Sequence, residues 1–370
     1  AESWVRSPAA ALEIYEQYRR RLRELGAVPG PATRAAHEAV LAAESPVRHS
    51  LQPEPEHFLG READVTGVLK ALSTHRLVTL TGPGGVGKTT LAQVVAARSR
   101  RPAVYVVALA EVSPGADLAR VVLDAIGGPA VVNGDPHRDL AAALSQPGTV
   151  LVLDNCEHLA GEAADLIGPL LVACPDLRVL ATSRRPLDLA AEHVHRLEAL
   201  NAASSAKLFR ARALAARPGQ VIDDDDLGEL LSRLEGIPLA IELAAARTRS
   251  LSVGQIAERL PGRPDLLTAA RDAPARQRTL TAVIEWSWNL LDAAERRALA
   301  RLALLPDGFP LLPAEALIGA QAADLLDALV SHSLLVVRDH GLPRFHMLVT
   351  VRDFALAQLS ASGDEAEARA

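Results

Sequence analysis

The chain is short of the residues that most often fill a protein interior. Only 3% of its 370 residues are aromatic and there is a single methionine, Met347. With 49% of residues hydrophobic, the cores have to be built from Ala, Leu and Val. The two cysteines, Cys156 and Cys174, are too few for a disulfide framework, so a cytoplasmic protein with reduced thiols is expected. No apolar run reaches the roughly 18 residues of a membrane helix and no leader pattern is present, so no membrane partner is expected. A net charge of −6 gives no general attraction to nucleic acid or to an anionic bilayer. Lysine is also scarce: Lys70, Lys88 and Lys207 are the only three among 39 basic residues. The chain opens Ala1-Glu2-Ser3-Trp4 without Met, which suggests a piece of a longer protein, and its length suggests two or three domains.

One of the three lysines stands in the most informative stretch. Gly82-Pro83-Gly84-Gly85-Val86-Gly87-Lys88-Thr89, followed by Thr90, fits the phosphate-binding pattern G-x-x-x-x-G-K-[ST]. Before it, Leu77 to Thr81 is an apolar, β-branched run expected to be a buried strand; after it, Leu91 to Arg98 is expected to be a helix. Strand, glycine loop and helix are the context this pattern requires. Glycines let successive N–H groups turn inward around an anion, and the helix start adds further donors and positive dipole. Lys88 is expected to reach the β- and γ-phosphates, and the Thr89 hydroxyl to hold Mg2+.

Further strands are expected at 103–109, 149–154, 177–182 and 194–197, with helices near 116–126, 136–145 and 159–172 between them. This alternation implies a five-stranded parallel sheet with helices on both faces. Asp154 ends its strand 66 residues after Lys88, where a carboxylate can act on Mg2+ at the sheet's carboxyl edge. Arg184, just past the strand ending at Thr182, is placed to touch a γ-phosphate. His193 and His195 share one side of a strand and read as an incidental pair, Cys156 as a packed thiol, and Asp223 to Asp226 as a dipole-favoured helix start.

Residues 1–45 read as a helix hairpin and 46–57, with Pro46, Pro53 and Pro55, as a linker. Residues 203–260 read as helical, broken at Gly236-Ile237-Pro238. A second linker covers 263–278. Helices near 280–291, 293–303 and 322–332, followed by a hairpin, form a winged-helix pattern over 279–360.

In this order, Phe58-Leu59-Gly60-Arg61-Glu62, the glycine loop, Leu151-Val152-Leu153-Asp154-Asn155, Thr182-Ser183-Arg184 and Gly236-Ile237-Pro238-Leu239 resemble the NB-ARC class of STAND ATPases. These are signalling switches related to plant resistance and apoptosome proteins. The spelling Asp154-Asn155-Cys156-Glu157-His158-Leu159 is similar to the AfsR/SARP group of actinobacterial regulators. Residues 1–45, with Tyr15, Leu22, Glu24-Leu25-Gly26 and Pro29, resemble the end of that group's bacterial transcriptional activator domain. The resemblance implies a P-loop nucleotide-binding domain over 58–200, a helical subdomain over 201–262 and a winged-helix subdomain over 279–360, closed over ADP and open with ATP. It implies that Arg61 lies near adenine, that Asp154 is the Walker B acid, that Arg184 senses the γ-phosphate and that Pro238 packs on adenine. It also implies a homo-oligomer in the ATP state, and contact with DNA and RNA polymerase through domains outside this chain.

Two departures from that pattern bear on function. The residue after Asp154 is Asn155, which cannot accept a proton, so hydrolysis is expected to be slow unless another group such as Glu157 takes over. The Met-His-Asp motif of the winged helix reads Met347-Leu348-Val349, with His346 one place away and a candidate for the β-phosphate. The leading expectation is an ATP/ADP switch, with Lys88, Asp154 and Arg184 at its centre, in a transcriptional regulator of secondary metabolism or antibiotic biosynthesis. The rivals are a fast P-loop ATPase or small-molecule kinase, which Asn155 disfavours, and a DNA-binding winged helix. Over 279–360 nine acids face six bases, a poor balance for a duplex. A GTPase is disfavoured because no Asn-Lys-x-Asp stretch occurs.

Overall fold

The computed structural model describes residues 47–51, 58–128, 135–260, 280–339 and 342–364, with isolated positions at 21, 30, 54 and 368. The N-terminal hairpin expected over 1–45 and the linker over 263–278 lie outside the described residues.

The sheet is parallel throughout. Its strands are β1 (Val47–His49), β2 (Leu77–Thr81), β3 (Ala103–Ala108), β4 (Thr149–Asp154), β5 (Arg178–Thr182) and β6 (Glu192–Arg196), in the order β1-β3-β4-β5-β2-β6. The five expected strands are present. A sixth, β1, comes from the segment expected to be a linker: Val47, Arg48 and His49 pair with Ala103, Val104 and Tyr105. An edge strand of three residues needs only one partner, so the prolines flanking it do not prevent it.

Strand residues alternate between two cores, as a pleated sheet buried on both sides requires. Val150, Val152 and Leu180 face one core with helices α1 (Glu62–Thr74) and α2 (Lys88–Arg98). Leu151, Leu153, Val179 and Ala181 face the other, with α3 (Leu118–Ala125), α4 (Pro136–Leu144) and α5 (Ala160–Ala173). Asp117 and Asp135 accept bonds from the first N–H groups of α3 and α4, which explains where those helices start.

After the sheet come α6 (Ala202–Ala216), α7 (Asp224–Leu234), α8 (Pro238–Arg247) and α9 (Val253–Arg259). Asp223 caps α7 through Asp225 N and Asp226 N, so the acidic run is a helix start. Then follow α10 (Leu280–Asn289), α11 (Ala293–Leu302), α12 (Leu311–Ile318), α13 (Ala322–Ser331), the hairpin β7 (Val336–Asp339) with β8 (Pro343–His346), and α14 (Val349–Ser362). Capping boxes at Ser252/Gln255 and Asp292/Glu295 set two of these starts. Residues from Leu200 to Leu260 and from Ile284 to Ala355 share one hydrophobic core, with Phe209 and Phe309 among its largest buried side chains. Trp288 meets Phe354 edge-on at its margin. Among the described residues no helix is long and apolar enough to cross a membrane.

The turn between α7 and α8 fixes how this helical part meets the sheet. Glu235 and Gly236 both have left-handed backbone, φ +50 and +69. Leu200 N donates to Gly236 O at 2.8 Å, and a Cβ on Gly236 would lie 2.2 Å from the Leu200 carbonyl oxygen. Backbone cannot yield there as a side-chain tip can. Gly219 has a similar φ of +76 with nothing near its missing Cβ. Gly219→Ala should therefore cost only about 1 kcal/mol, the left-handed strain alone, and Gly236→Ala about 3 kcal/mol or more. Urea unfolding of the two variants checks this; equal losses would mean that the Leu200 contact does not constrain the turn.

Candidate functional site

Strand β2 delivers the glycine loop to the sheet's carboxyl edge, and α2 begins directly at Lys88 with no side chain capping it. Its first-turn N–H groups therefore face the pocket above the loop, as an anion site requires. That pocket is lined by Gly84 through Thr90, by Arg61, Asn155, Glu157, Thr182 and Arg184, and by Pro238, Leu239, Glu242 and Val283 from later in the chain. Of the expected loop residues, Gly82 and Pro83 do not line it. Their carbonyls lie behind, where they accept from Lys88 Nζ at 2.7 and 3.1 Å. Enclosure pulls the Lys88 ammonium down from 10.5 to about 8; Glu157 and Asp154 oppose the shift and Arg184 adds to it.

Asp154 is buried at the end of β4. One of its oxygens accepts from the Thr89 hydroxyl at 2.8 Å and from the Thr182 hydroxyl at 2.6 Å. A carboxylate and a hydroxyl at this separation are oxygen donors of the kind Mg2+ takes together with substrate phosphates, so the residues present fit that ion. When bound there it would neutralise phosphate charge. Among the described residues no group of three or more His, Cys, Asp or Glu is arranged to hold a metal without such phosphates.

Arg184 is not a solvated loop residue. It is 6% exposed, its Nε bonds Glu157 Oε1 at 3.1 Å, and its terminal nitrogens point to Val283 O at 3.4 and 3.5 Å. Its own carbonyl accepts from Ser333 Oγ at 2.6 Å. This one residue thus joins β5 to α10 and to the end of α13. Arg61 is also buried; it donates to Val86 O at 3.0 Å and pairs with Asp64 at 3.2 Å, which ties α1 to the glycine loop. Pro238 begins α8, and the next residue, Leu239, donates its N–H to Gly85 O at 3.2 Å.

Two loop glycines are needed for close approach by other elements. A Cβ on Gly84 would lie 2.4 Å from Val283 Cγ1, and one on Gly85 would lie 3.0 Å from Leu239 Cβ.

His346 corrects an expectation. It does not line the pocket; its Nδ1 lies 2.9 Å from Asp307 Oδ2, and its neighbour Met347 is the buried residue, at 2% exposure. The alternation of β8 sends His346 to the carboxylate and away from the nucleotide loop. At Val349, which stands where the Met-His-Asp motif has its Asp, the backbone N–H donates to Glu235 at 2.7 Å, and burial raises that carboxyl to about 7. His193 stacks on His75 at 4.3 Å and His195 Nε2 meets Asp64 at 3.4 Å, so the two histidines engage different partners. Cys156 is packed and its thiol is pushed well up by burial.

Sequence reasoning did not assign Val283, Glu242 or Thr182 to the site. Thr182 was within reach, as a hydroxyl ending a strand beside Asp154, and Glu242 as the residue one helical turn after Pro238. Val283 carried no signal, because an apolar residue on a distant helix is indistinguishable from core.

Residues 70–187 match the AAA domain family model. A Mycobacterium tuberculosis protein, itself described as uncharacterized, is 38% identical over 335 residues, which cover 86% of this chain and 85% of that protein. A second protein of that organism, named as an HTH-type transcriptional regulator, is 40% identical over 306 residues; the match covers 79% of this chain but 35% of the relative. The regulatory protein AfsR of Streptomyces griseus is 31% identical over 95% of this chain and 39% of its own length. The chain thus spans little more than a third of these regulators. A Walker-type ATPase of Pyrococcus abyssi superposes with a TM-score of 0.53 at 14% identity, covering 86% of this chain and 99% of that one, a likeness of fold alone.

The depressed Lys88 value sets a pH dependence. Folded protein binds fewer protons than unfolded protein between about pH 8 and 10.5, so nucleotide-free stability should rise through that window. The deficit is complete below pH 8. Lys88→Met should abolish the rise and add on the order of 3 kcal/mol at pH 7. Urea unfolding of both proteins at pH 7, 8 and 9 tests this; identical slopes would contradict it.

Proposed function

The chain belongs to the same family as the M. tuberculosis protein that it matches along most of both lengths, and from this and the AAA-domain match over its glycine loop we propose that it is an ATP/ADP-operated switch of the STAND class. The observation that carries the reading is the double engagement of Arg184. Inside the phosphate pocket it holds Glu157 with one nitrogen and the Val283 carbonyl with two others. A γ-phosphate arriving beside Lys88 competes for that guanidinium, because a charged phosphate is a stronger acceptor than a main-chain carbonyl. The triphosphate would then loosen α10 from the loop, and the diphosphate would leave it seated. Differential affinity for two arrangements is what a nucleotide switch requires.

In this reading Lys88 and the amides of Gly84 to Thr90 hold the phosphates, with Gly82 and Pro83 positioning Lys88 from behind. Thr89 and Asp154 hold Mg2+, and Arg184 reads the γ-phosphate. Arg61 and Pro238 flank the base. His346 is not assigned a role at the nucleotide. Asn155 itself offers no base, so hydrolysis to ADP and phosphate depends on another group and is slow, which disfavours the fast ATPase or kinase. The helices and hairpin over 279–360 serve as a closing winged-helix subdomain rather than a DNA reader, given their acidic balance. The helical subdomain over 201–262 lies between that element and the nucleotide domain over 58–200. By analogy with the regulators it resembles, the switch would act in the cytoplasm. It would control self-association in the ATP state, with DNA and RNA polymerase engaged by segments outside this chain, in regulation of secondary metabolism or antibiotic production.

Calorimetry on the described fold tests this reading. Lys88→Ala should abolish binding of both ATP and ADP. Arg184→Ala should weaken ATP by about tenfold or more, the worth of one charged hydrogen bond, and ADP by less than threefold. Equal losses for the two nucleotides would remove the sensor role.

A further inference from the structure

We propose that Glu157 is the catalytic base for ATP hydrolysis, taking the place that Asn155 leaves open. The inference rests on the reading of the pocket as an ATP site and names the residue that would carry its chemistry.

Asn155 cannot take a proton, and its backbone shows why an amide side chain suits the position. Its φ is +70, a left-handed conformation that asparagine tolerates better than most residues, and its N–H is fixed by Thr182 Oγ1 at 2.8 Å. Two acids do line the pocket. Glu242 is held by Arg212, with nitrogens of that guanidinium at 2.8 and 3.1 Å from one of its oxygens. Glu157 is placed differently. Its side chain is 5% exposed, Oε1 is taken by Arg184, and Oε2 is enclosed with no hydrogen-bond partner. A buried carboxylate oxygen without a donor is costly, and here it belongs to a residue of the phosphate-pocket wall. Glu157 and Lys88 line the same pocket, which puts this carboxylate on the wall that carries the phosphate-binding ammonium. The donor that Oε2 lacks is a water molecule entering with the substrate.

In the step, the water oxygen bonds to the γ-phosphorus and its proton passes to Glu157 Oε2. The bond from that phosphorus to the bridging oxygen breaks, and the electron pair leaves with ADP. Inorganic phosphate and ADP result, and Glu157 later returns its proton to solvent. Arg184 positions the base by holding Oε1, which leaves the other oxygen turned to the water.

The test uses the full chain with MgATP and two measurements on each variant: calorimetric ATP affinity and single-turnover phosphate release. Glu157→Gln should retain ATP affinity within threefold and lower phosphate release by about a hundredfold or more, the worth of a general base. The variant should also still carry intact triphosphate after the parent has converted its own to diphosphate. Glu157→Asp keeps the charge and the Arg184 partner but shortens the reach, so it should show an intermediate rate; it serves as the test if the Gln variant does not fold. Phosphate release within threefold of the parent would overturn the proposal. So would a tenfold loss of affinity for ATP and ADP alike, which would make Glu157 a structural partner of Arg184. A parent protein that binds ATP without hydrolysing it overturns the base alone, whereas a parent that binds no nucleotide removes the pocket reading itself.

Discussion

Positive charge held out of water is the constraint around which this molecule is arranged. Lys88 folds back on the carbonyls of its own loop, and Arg184 is buried against Glu157 and a distant carbonyl. Arg184 is buried and Lys88 half-buried, and removing an ion from water costs several kcal/mol before partners offset it. Asp154 and Glu157 supply part of the offset for Lys88, and Glu157 pairs directly with Arg184. The same enclosure makes each contact to an anion count for more, since the local dielectric is low.

The elements around the loop are coupled because they compete for the same small surface. Gly84 gives way to Val283 and Gly85 to Leu239, so the lack of side chains that lets amides face a phosphate also lets α10 and α8 sit directly on the cradle. A phosphate loop walled by larger residues could bind nucleotide but could not be touched by helices on its other side. The helices of 202–259 and those from 280 onward share one hydrophobic core, so α8 and α10 meet the loop from a single packed body. Glu235 adds a further tie within that body, by capping the start of α14 from the end of α7.

The local part of this arrangement was legible in the residues. Strands β2 to β5 are continuous apolar runs because both faces are buried, and the loop, Asp154 and Arg184 follow from spacing along those strands. What escaped reading has identifiable causes. Strand β1 is three residues long and flanked by prolines, so it carries no period. Helix α12 contains Pro313 in its first turn, where a missing N–H is harmless, yet proline normally argues against a helix. Helix α14 opens with Val349-Thr350-Val351, a β-branched run that favours a strand until packing decides otherwise. His346 was misjudged because Asp307, 39 positions away, decides where its ring goes. The docking of Val283 on Gly84 is a contact across 199 positions, and no window on the chain could contain it.

Strand β1 sits at the opposite edge of the sheet from β6, four strand spacings from the glycine-loop strand β2, or about 19 Å. Its backbone is bonded to Ala103, Val104 and Tyr105, so its direction and register on the sheet are fixed. Strand β1 thereby covers the row of backbone donors and acceptors that β3 would otherwise present at the rim, and a three-residue rim strand offers little template for pairing with another chain.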